Sequence, residues 1–248
     1  MSSLAISVIV FACVFGGAVL GQFLRAVLPQ DRLRDSENAV KLGMGLVTTM
    51  SALVLGLLVT SARVFYETQN TQVTEMSATV IVLDRVLAAY GSETKEARDM
   101  LHDSIVRSLD QVWPRERTGA SEVRPPTGEA LLDKIQALSP KDDRQRWLQA
   151  QALSLSIGLG QTRWLMYQQT TTSVSKPMVA FLVFWLSMIF LSFGLYAPPN
   201  GIVTIAFFVA GLSVSGAIFL ILDMYAPYRG LIGISSAPLR VALSHLGR

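Results

Sequence analysis

The chain has 248 residues, of which 51% are hydrophobic and only 16% are charged. Soluble domains carry roughly 25% charged residues, so this composition excludes an ordinary soluble domain and predicts a protein of the lipid bilayer. The net charge of +3 indicates no nucleic-acid partner, because excess Lys and Arg in a membrane protein usually set its orientation. The single cysteine, Cys13, excludes a disulfide framework within the chain and a thiol-based metal site.

Residues 1–62 are predicted to form a first transmembrane hairpin. Leu4 to Leu24 carry no charge, and an apolar run of about 20 residues can cross the bilayer once. The competing interpretation is a cleaved signal peptide, but no basic segment precedes Leu4 and the run is longer than a signal-peptide core. A short charged connection is expected from Pro29 to Asn38, followed by the second span from Leu42 to Ala62.

The second span has two chemically different faces. At about 100° per residue, small and hydroxylated residues fall on one side and bulky apolar residues on the other. The small-residue face consists of Gly45, Thr48, Thr49, Ala52, Gly56 and Thr60. It could line a narrow wet lumen or let another helix approach closely. Lys41 and Arg63, at its two ends, are candidate pore-mouth charges that could concentrate anions, although terminal basic residues also set topology.

The same helix is predicted to continue to Tyr90, because no Gly or Pro follows Arg63 within this stretch. From Lys41 to Tyr90 it would be about 75 Å long, far more than a hydrocarbon core of about 30 Å requires. Its second half carries a heptad pattern. This heptad seam consists of Tyr66, Gln69, Val73, Met76, Val80, Leu83 and Leu87. The seam could assemble subunits, with Gln69 specifying register, or pack on helices of its own chain.

Residues 63–176 are predicted to form a helical extramembrane domain between the second and third spans. Gly91 ends the long helix, and further helices are expected at about 93–113, 129–138 and 139–169, with an exposed Pro-rich loop at 114–128. The adjacent Asp84 and Arg85 are expected to form a solvated or interhelical ion pair.

Residues 177–222 are predicted to form a second transmembrane hairpin, with spans at Met178–Tyr196 and 202–222, and residues 223–248 a short amphipathic tail. Asp223, at the end of the fourth span, is expected to pair with Arg63 or Lys176 or to lie on an ion path. Four spans place both termini and the helical domain on one side. The basic residues favour the cytoplasmic side of the cell (inner) membrane.

The sequence offers no catalytic or cofactor-binding constellation. His102 lies near Asp99 and Asp103 on one helix, but a metal site would be expected to have further ligands such as a second histidine. A solvated charged face is the favoured interpretation. We therefore expect no enzyme activity, no cofactor and no metal.

Several stretches of the sequence resemble those of a known family. They are spread over essentially the whole chain, apart from residues 115–127. They include 53–57, Leu83-Asp84-Arg85, Gly160-Gln161-Thr162-Arg163-Trp164, Gly194-Leu195-Tyr196-Ala197-Pro198 and the tail 227–239. Together they resemble the bestrophin-like integral membrane proteins of bacteria, a domain of unknown function. That family is remotely related to bestrophins, which are pentameric, mainly anion-selective channels whose second helix lines the pore.

The resemblance implies an all-α, bestrophin-like membrane fold with both termini and the helical domain in the cytoplasm. It also implies a homo-oligomer, a pentamer by analogy, and a permeant ion. Two hypotheses follow. The first is a homo-oligomeric ion channel with the second helix around the pore. The second is a non-conducting membrane scaffold or sensor whose helical domain binds a cytoplasmic partner.

Overall fold

The computed structural model of the chain describes residues 3–113, 129–170, 176–198, 200–228 and 230–247. Across these ranges no strand occurs and 88% of the structure is helical, which confirms the predicted all-α class. The predicted loop at 114–128 lies outside the described residues. The helices are α1 Ser3–Val27, α2 Gln30–Tyr90, α3 Lys95–Val112, α4 Glu129–Gln136, α5 Asp143–Thr170, α6 Lys176–Tyr196, α7 Gly201–Met224 and α8 Ala237–His245, with a short 3-10 helix at Ser92–Thr94.

Four helices are long and apolar enough to cross a membrane, as the sequence predicts. They are α1, the part of α2 at Glu37–Tyr90, the Pro177–Tyr196 part of α6, and α7. Each contains an apolar stretch long enough to cross the hydrocarbon core of a bilayer. The order of elements is therefore two spans, a group of helices, two further spans and a short terminal helix.

Helix α2 begins earlier than expected. The predicted connection from Pro29 to Asn38 is wrong, since the helix already starts at Gln30. Pro29 immediately precedes the first turn, where the missing N–H costs no hydrogen bond, and no helix breaker follows it. Glu37 also accepts a hydrogen bond from Lys41 one turn later, a pairing that supports a helix. The charges of this segment therefore do not interrupt α2.

The end of α2 is set by Gly91, as predicted. Its backbone has φ 140° and ψ −175°, a combination that essentially only glycine adopts without strain. The chain turns there into the 3-10 helix, whose Thr94 hydroxyl donates a buried hydrogen bond to the Leu87 carbonyl, 2.6 Å away. This bond satisfies one of the carbonyls left open at the end of α2.

The chain divides into two compact units. Unit 1 comprises Met1–Tyr66 and Ser173–Tyr225, and unit 2 comprises Glu67–Thr172 and Ala226–Arg248. Unit 1 thus contains α1, α6, α7 and the first part of α2. Unit 2 contains the rest of α2, the helices α3 to α5 and the tail with α8, so that the tail shares a unit with the helical domain.

Unit 1 is held together by close approach of α1 to α6. A Cβ added to Gly194 on α6 would overlap the carbonyl oxygen of Ala18, and one added to Gly17 on α1 would come within 2.8 Å of the Ser187 carbonyl. Small residues at such crossings let transmembrane backbones pack directly. The core beside this crossing contains residues of all four helices, including Val14, Leu58, Ala62, Leu186 and Ile218.

Unit 2 has its own apolar core. Its largest fully buried side chains come from α2, α3, α4 and α8 and include Leu83, Leu87, Leu101, Ile105, Ile135 and Leu239. Helix α4 is also fixed by a polar contact, because Gln149 of α5 donates hydrogen bonds to the carbonyls of Ile135 and Leu138, each 2.9 Å away. These bonds occupy carbonyls that the end of a short helix leaves open.

Candidate functional site

The small-residue face of α2 is uncovered in the single chain. Gly45, Thr48, Thr49, Ala52, Gly56 and Thr60 are all exposed. Apart from the adjoining backbone of α2 itself, no described atom comes within 4 Å of a Cβ built on Gly45 or Gly56, in contrast to the packed glycines of α1 and α6. One interpretation of the sequence is that this face packs closely against another helix. Within the protomer it does not.

A different side of α2 holds the helix in unit 1. Ser51, Leu58 and Ala62 are buried, and Leu58 and Ala62 join the core with α1, α6 and α7. Their spacing of seven and four residues defines one stripe of a helix. The contacts of α2 with its own unit thus leave the small-residue face free for lipid, for a lumen or for a second copy of the chain.

The hydroxyl groups of this face are satisfied locally. Thr48 donates to the Met44 carbonyl at 2.7 Å, and Thr49 and Thr60 donate to the Gly45 and Gly56 carbonyls at 3.0 Å. Each bond spans one helical turn. The donor hydrogen is therefore occupied, whereas the hydroxyl oxygen retains acceptor capacity. The face is weakly polar and uncharged between its two ends.

The three predicted pore-mouth charges differ in their surroundings. Lys41 and Arg63 are both exposed, and Lys41 pairs with Glu37 on the same helix. Asp223, near the end of α7, is only 3% exposed, so its carboxylate is buried within the single chain. The side chain of Lys176, a predicted partner of Asp223, lies outside the described residues.

The heptad seam is a core element of the single chain and not a free oligomer surface. Gln69, Val73, Met76, Val80, Leu83 and Leu87 are between 0% and 4% exposed in the protomer, and Tyr66 is half-buried. Side chains that are already buried leave no surface for a second subunit. The predicted oligomer seam is therefore corrected to a seam within the chain, the alternative that the sequence had left open.

Asp84 on α2 forms an interhelical ion pair, but Arg85 is not its partner. Arg98 of α3 donates from Nε to Oδ1 at 2.7 Å and from Nη2 to Oδ2 at 2.9 Å. Asp84 is buried and Arg85 is exposed, because adjacent residues of a helix point in different directions. The hydrogen bonds to Asp84 raise the pKa of Arg98.

The tail is anchored in unit 2 by side chains that sequence reasoning did not connect. The Tyr228 hydroxyl donates to Oε1 of Gln69 at 2.8 Å, and Nε1 of Trp113 donates to the Ile234 carbonyl at 2.7 Å. The rings of Trp113 and Tyr228 meet edge to face at 5.3 Å. The tail stretch that carries the family resemblance therefore packs on the seam of α2 and on the end of α3.

The described residues contain no cluster suited to a metal ion. No group of three or more His, Cys, Asp or Glu side chains comes together among them. His102 is exposed. In the ion pair that the structure describes for it, Nδ1 of His102 lies 3.5 Å from Oδ1 of Asp103. Its surroundings are those of a solvated helix face.

Comparison with known proteins places these features in a family. Neither a curated protein nor a solved structure matches the chain. Residues 9–239 match the Bestrophin-like domain, a span that includes most of α1, the other three membrane-length helices, the seam and the docked tail stretch up to residue 239. The protein therefore belongs to the bestrophin-like family of membrane proteins.

Proposed function

We propose that this protein is a homo-oligomeric ion channel in which α2 lines a central pore. The observation that carries this proposal is the exposed small-residue face from Gly45 to Thr60. Small and hydroxylated side chains leave room for an ion in a narrow lumen and offer oxygen atoms to it. The bestrophins, to which the family that the sequence resembles is remotely related, use their second helix in this way.

The charges at the ends of this face favour an anion. Lys41 and Arg63 are both exposed, and basic residues at the entrances of a low-dielectric path raise the local anion concentration. Glu37, which pairs with Lys41, offsets part of this effect at that end. We further propose that both termini and unit 2 lie on the cytoplasmic side of the inner membrane. Support comes from the resemblance and from a small excess of basic residues at that end of the spans, five (Arg63, Lys176, Arg229, Arg240 and Arg248) against four (Arg25, Arg32, Arg34 and Lys41) at the other end.

Ion flux into liposomes tests the channel directly. Purified protein is reconstituted, and chloride, sodium and potassium fluxes are measured over a range of pH and calcium concentration. Thr49→Leu is expected to reduce flux to a small fraction of the native value, because a bulky apolar side chain would narrow and dry the lumen. Absence of flux for all three ions under every condition would exclude a channel.

The matched control for Thr49→Leu is Ser213→Leu. Ser213 is exposed on α7, and its hydroxyl makes the same one-turn bond, to the Val209 carbonyl at 2.9 Å. Both substitutions remove one satisfied hydroxyl from a membrane helix. Equal losses of flux would show that the effect is not specific to the proposed pore face.

The alternative function is a non-conducting scaffold or sensor. One observation favours it: Trp147, Ile157 and Trp164 are exposed on α5 in unit 2, and exposed aromatic residues are frequent at protein interfaces. The oligomeric state in detergent, measured by light scattering, separates the two functions. A ring-forming oligomer that conducts supports the channel, whereas a monomer or dimer without flux supports the scaffold.

A further inference from the structure

One arginine of unit 2 is largely buried without a full set of hydrogen-bond partners. Arg163 of α5 is largely buried, and its Nη2 donates to Oγ of Ser104 on α3 at 3.0 Å. The Ser104 hydroxyl gives its own hydrogen to the Leu101 carbonyl at 2.7 Å. Nε of Arg163 is buried and has no hydrogen-bond partner among the described residues. A buried donor without a partner is destabilising and rare.

No carboxylate among the described residues neutralises this guanidinium. The charged neighbour of Arg163 is Arg107, one turn after Ser104 on α3, and burial together with this like charge lowers the pKa of Arg163. Arg98, a short distance along α3, instead makes a complete bidentate pair with Asp84. Helix α3 thus carries one arginine that is fully paired with α2 and lies beside another, on α5, that keeps spare donors next to a second positive charge.

We propose that Arg163 and Arg107 form a binding site for a phosphate-like oxyanion, with Ser104 as the positioning residue. A guanidinium presents its N–H groups in a planar fork that matches an oxyanion, and a bound anion would satisfy Nε and relieve the repulsion between the two arginines. The edge of the site reaches solvent, because Arg107 is exposed and both Arg163 and Ser104 keep part of their surface. Nε of Arg163 is itself covered, so an anion bound at Nε requires the guanidinium to turn toward that edge. This site goes beyond the proposed pore, since it lies within unit 2.

Two sources could supply such an anion. It could be free inorganic phosphate or the headgroup of an anionic lipid. The test therefore has two arms. In the first, full-length protein in a zwitterionic detergent is titrated with inorganic phosphate at constant ionic strength, with chloride as the competing anion, and binding is followed by thermal unfolding and calorimetry. In the second, protein in nanodiscs of zwitterionic lipid is compared with protein in nanodiscs containing phosphatidylglycerol.

The expected result is stabilisation by phosphate, or by phosphatidylglycerol, that depends on both arginines. Arg163→Gln is expected to weaken binding at least about tenfold, the loss expected for one hydrogen bond to a charged group. Arg107→Gln repeats the test at an exposed position where misfolding is not expected. Arg85→Gln, at an exposed arginine of the same unit, is the matched control and should leave binding unchanged.

The two arms distinguish a free anion from a lipid headgroup, and both can overturn the proposed site. Stabilisation in the phosphate arm that Arg107→Gln weakens identifies a free anion, and the same result only in the lipid arm identifies a headgroup. No stabilisation in either arm overturns the site. So does stabilisation that survives both Arg163→Gln and Arg107→Gln, because the anion would then bind elsewhere.

Discussion

The Tyr228 hydroxyl donates a 2.8 Å hydrogen bond to Oε1 of Gln69, the fully buried polar residue of the heptad seam. The seam is otherwise apolar, and a polar group placed inside it must find a partner to avoid a desolvation cost. The tail supplies that partner. The bond therefore fixes where the tail docks on α2, and it links two segments separated by more than half of the chain.

Removing this donor should loosen the tail. Tyr228→Phe leaves Oε1 of Gln69 without this partner and is expected to cost about 1 to 3 kcal/mol. The double variant Tyr228→Phe with Gln69→Met replaces both polar groups and should recover part of the loss. Hydrogen exchange of the tail in full-length protein measures the effect. Equal exchange in the native and Tyr228→Phe proteins would contradict it.

The same contact predicts a dependence on alkaline pH. Burial raises the pKa of Tyr228 above its ordinary value of 10.0, so the folded protein favours the neutral phenol. The resulting stability is fully present below about pH 10 and is lost as the pH rises through the higher pKa of the folded state. Thermal unfolding at successive pH values should show the advantage of the native protein over Tyr228→Phe shrinking above about pH 10. A constant difference between the two proteins would rule this linkage out.

The ion pair of Asp84 and Arg98 should contribute far more to the stability of unit 2 than the neighbouring Arg85 does. Asp84→Asn is expected to destabilise the unit by about 2 to 3 kcal/mol, near the lower end for a buried pair because Arg98 is still partly exposed. Arg85→Gln should change stability by less than about 0.5 kcal/mol, as for most surface positions. Local hydrogen exchange in α2 and α3 provides the measurement. Comparable effects of the two substitutions would show that the pair contributes little.

Replacing a glycine of the membrane helices by alanine should change thermal stability by very different amounts at different positions. Gly194→Ala places a Cβ against the Ala18 carbonyl and is expected to separate α1 from α6 and lower the unfolding temperature by several degrees, since backbone at a crossing cannot move aside cheaply. Gly45→Ala and Gly56→Ala meet open space and should be neutral or slightly stabilising, because Ala favours helix more than Gly. Thermal unfolding in detergent distinguishes the two groups. A loss from Gly45→Ala as large as that from Gly194→Ala would reveal packing on the small-residue face.

Cysteine labelling can show whether that face meets water. The single native thiol, Cys13, is exposed and is first replaced by Ser. Ala52→Cys on α2 should then react with a membrane-impermeant thiol reagent in the bilayer, whereas Ala210→Cys, on an exposed position of α7, should not, since lipid excludes the thiolate that reacts. Equal protection of both thiols would indicate that the α2 face lies in lipid or in a dry interface.

Much of the fold could be predicted because its signals are local. The four spans follow from uncharged runs of sufficient length, and the end of α2 follows from the backbone freedom of Gly91. The start of α2 is predicted too late, because the charged residues between Pro29 and Asn38 suggest a connection where the structure has helix. Charge alone does not break a helix, and the pair of Lys41 with Glu37 supports one.

The sequence by itself determined which residues share a face of α2, because helical periodicity is fixed by the backbone. Only the tertiary structure decided which of those faces is covered. The seam from Gln69 to Leu87 is buried by other helices of the same chain, whereas the face from Gly45 to Thr60 remains open. It also decided that Arg98 and not Arg85 pairs with Asp84, and that Tyr228 reaches Gln69. Such pairings depend on packing between segments distant in sequence, for which periodicity carries no information.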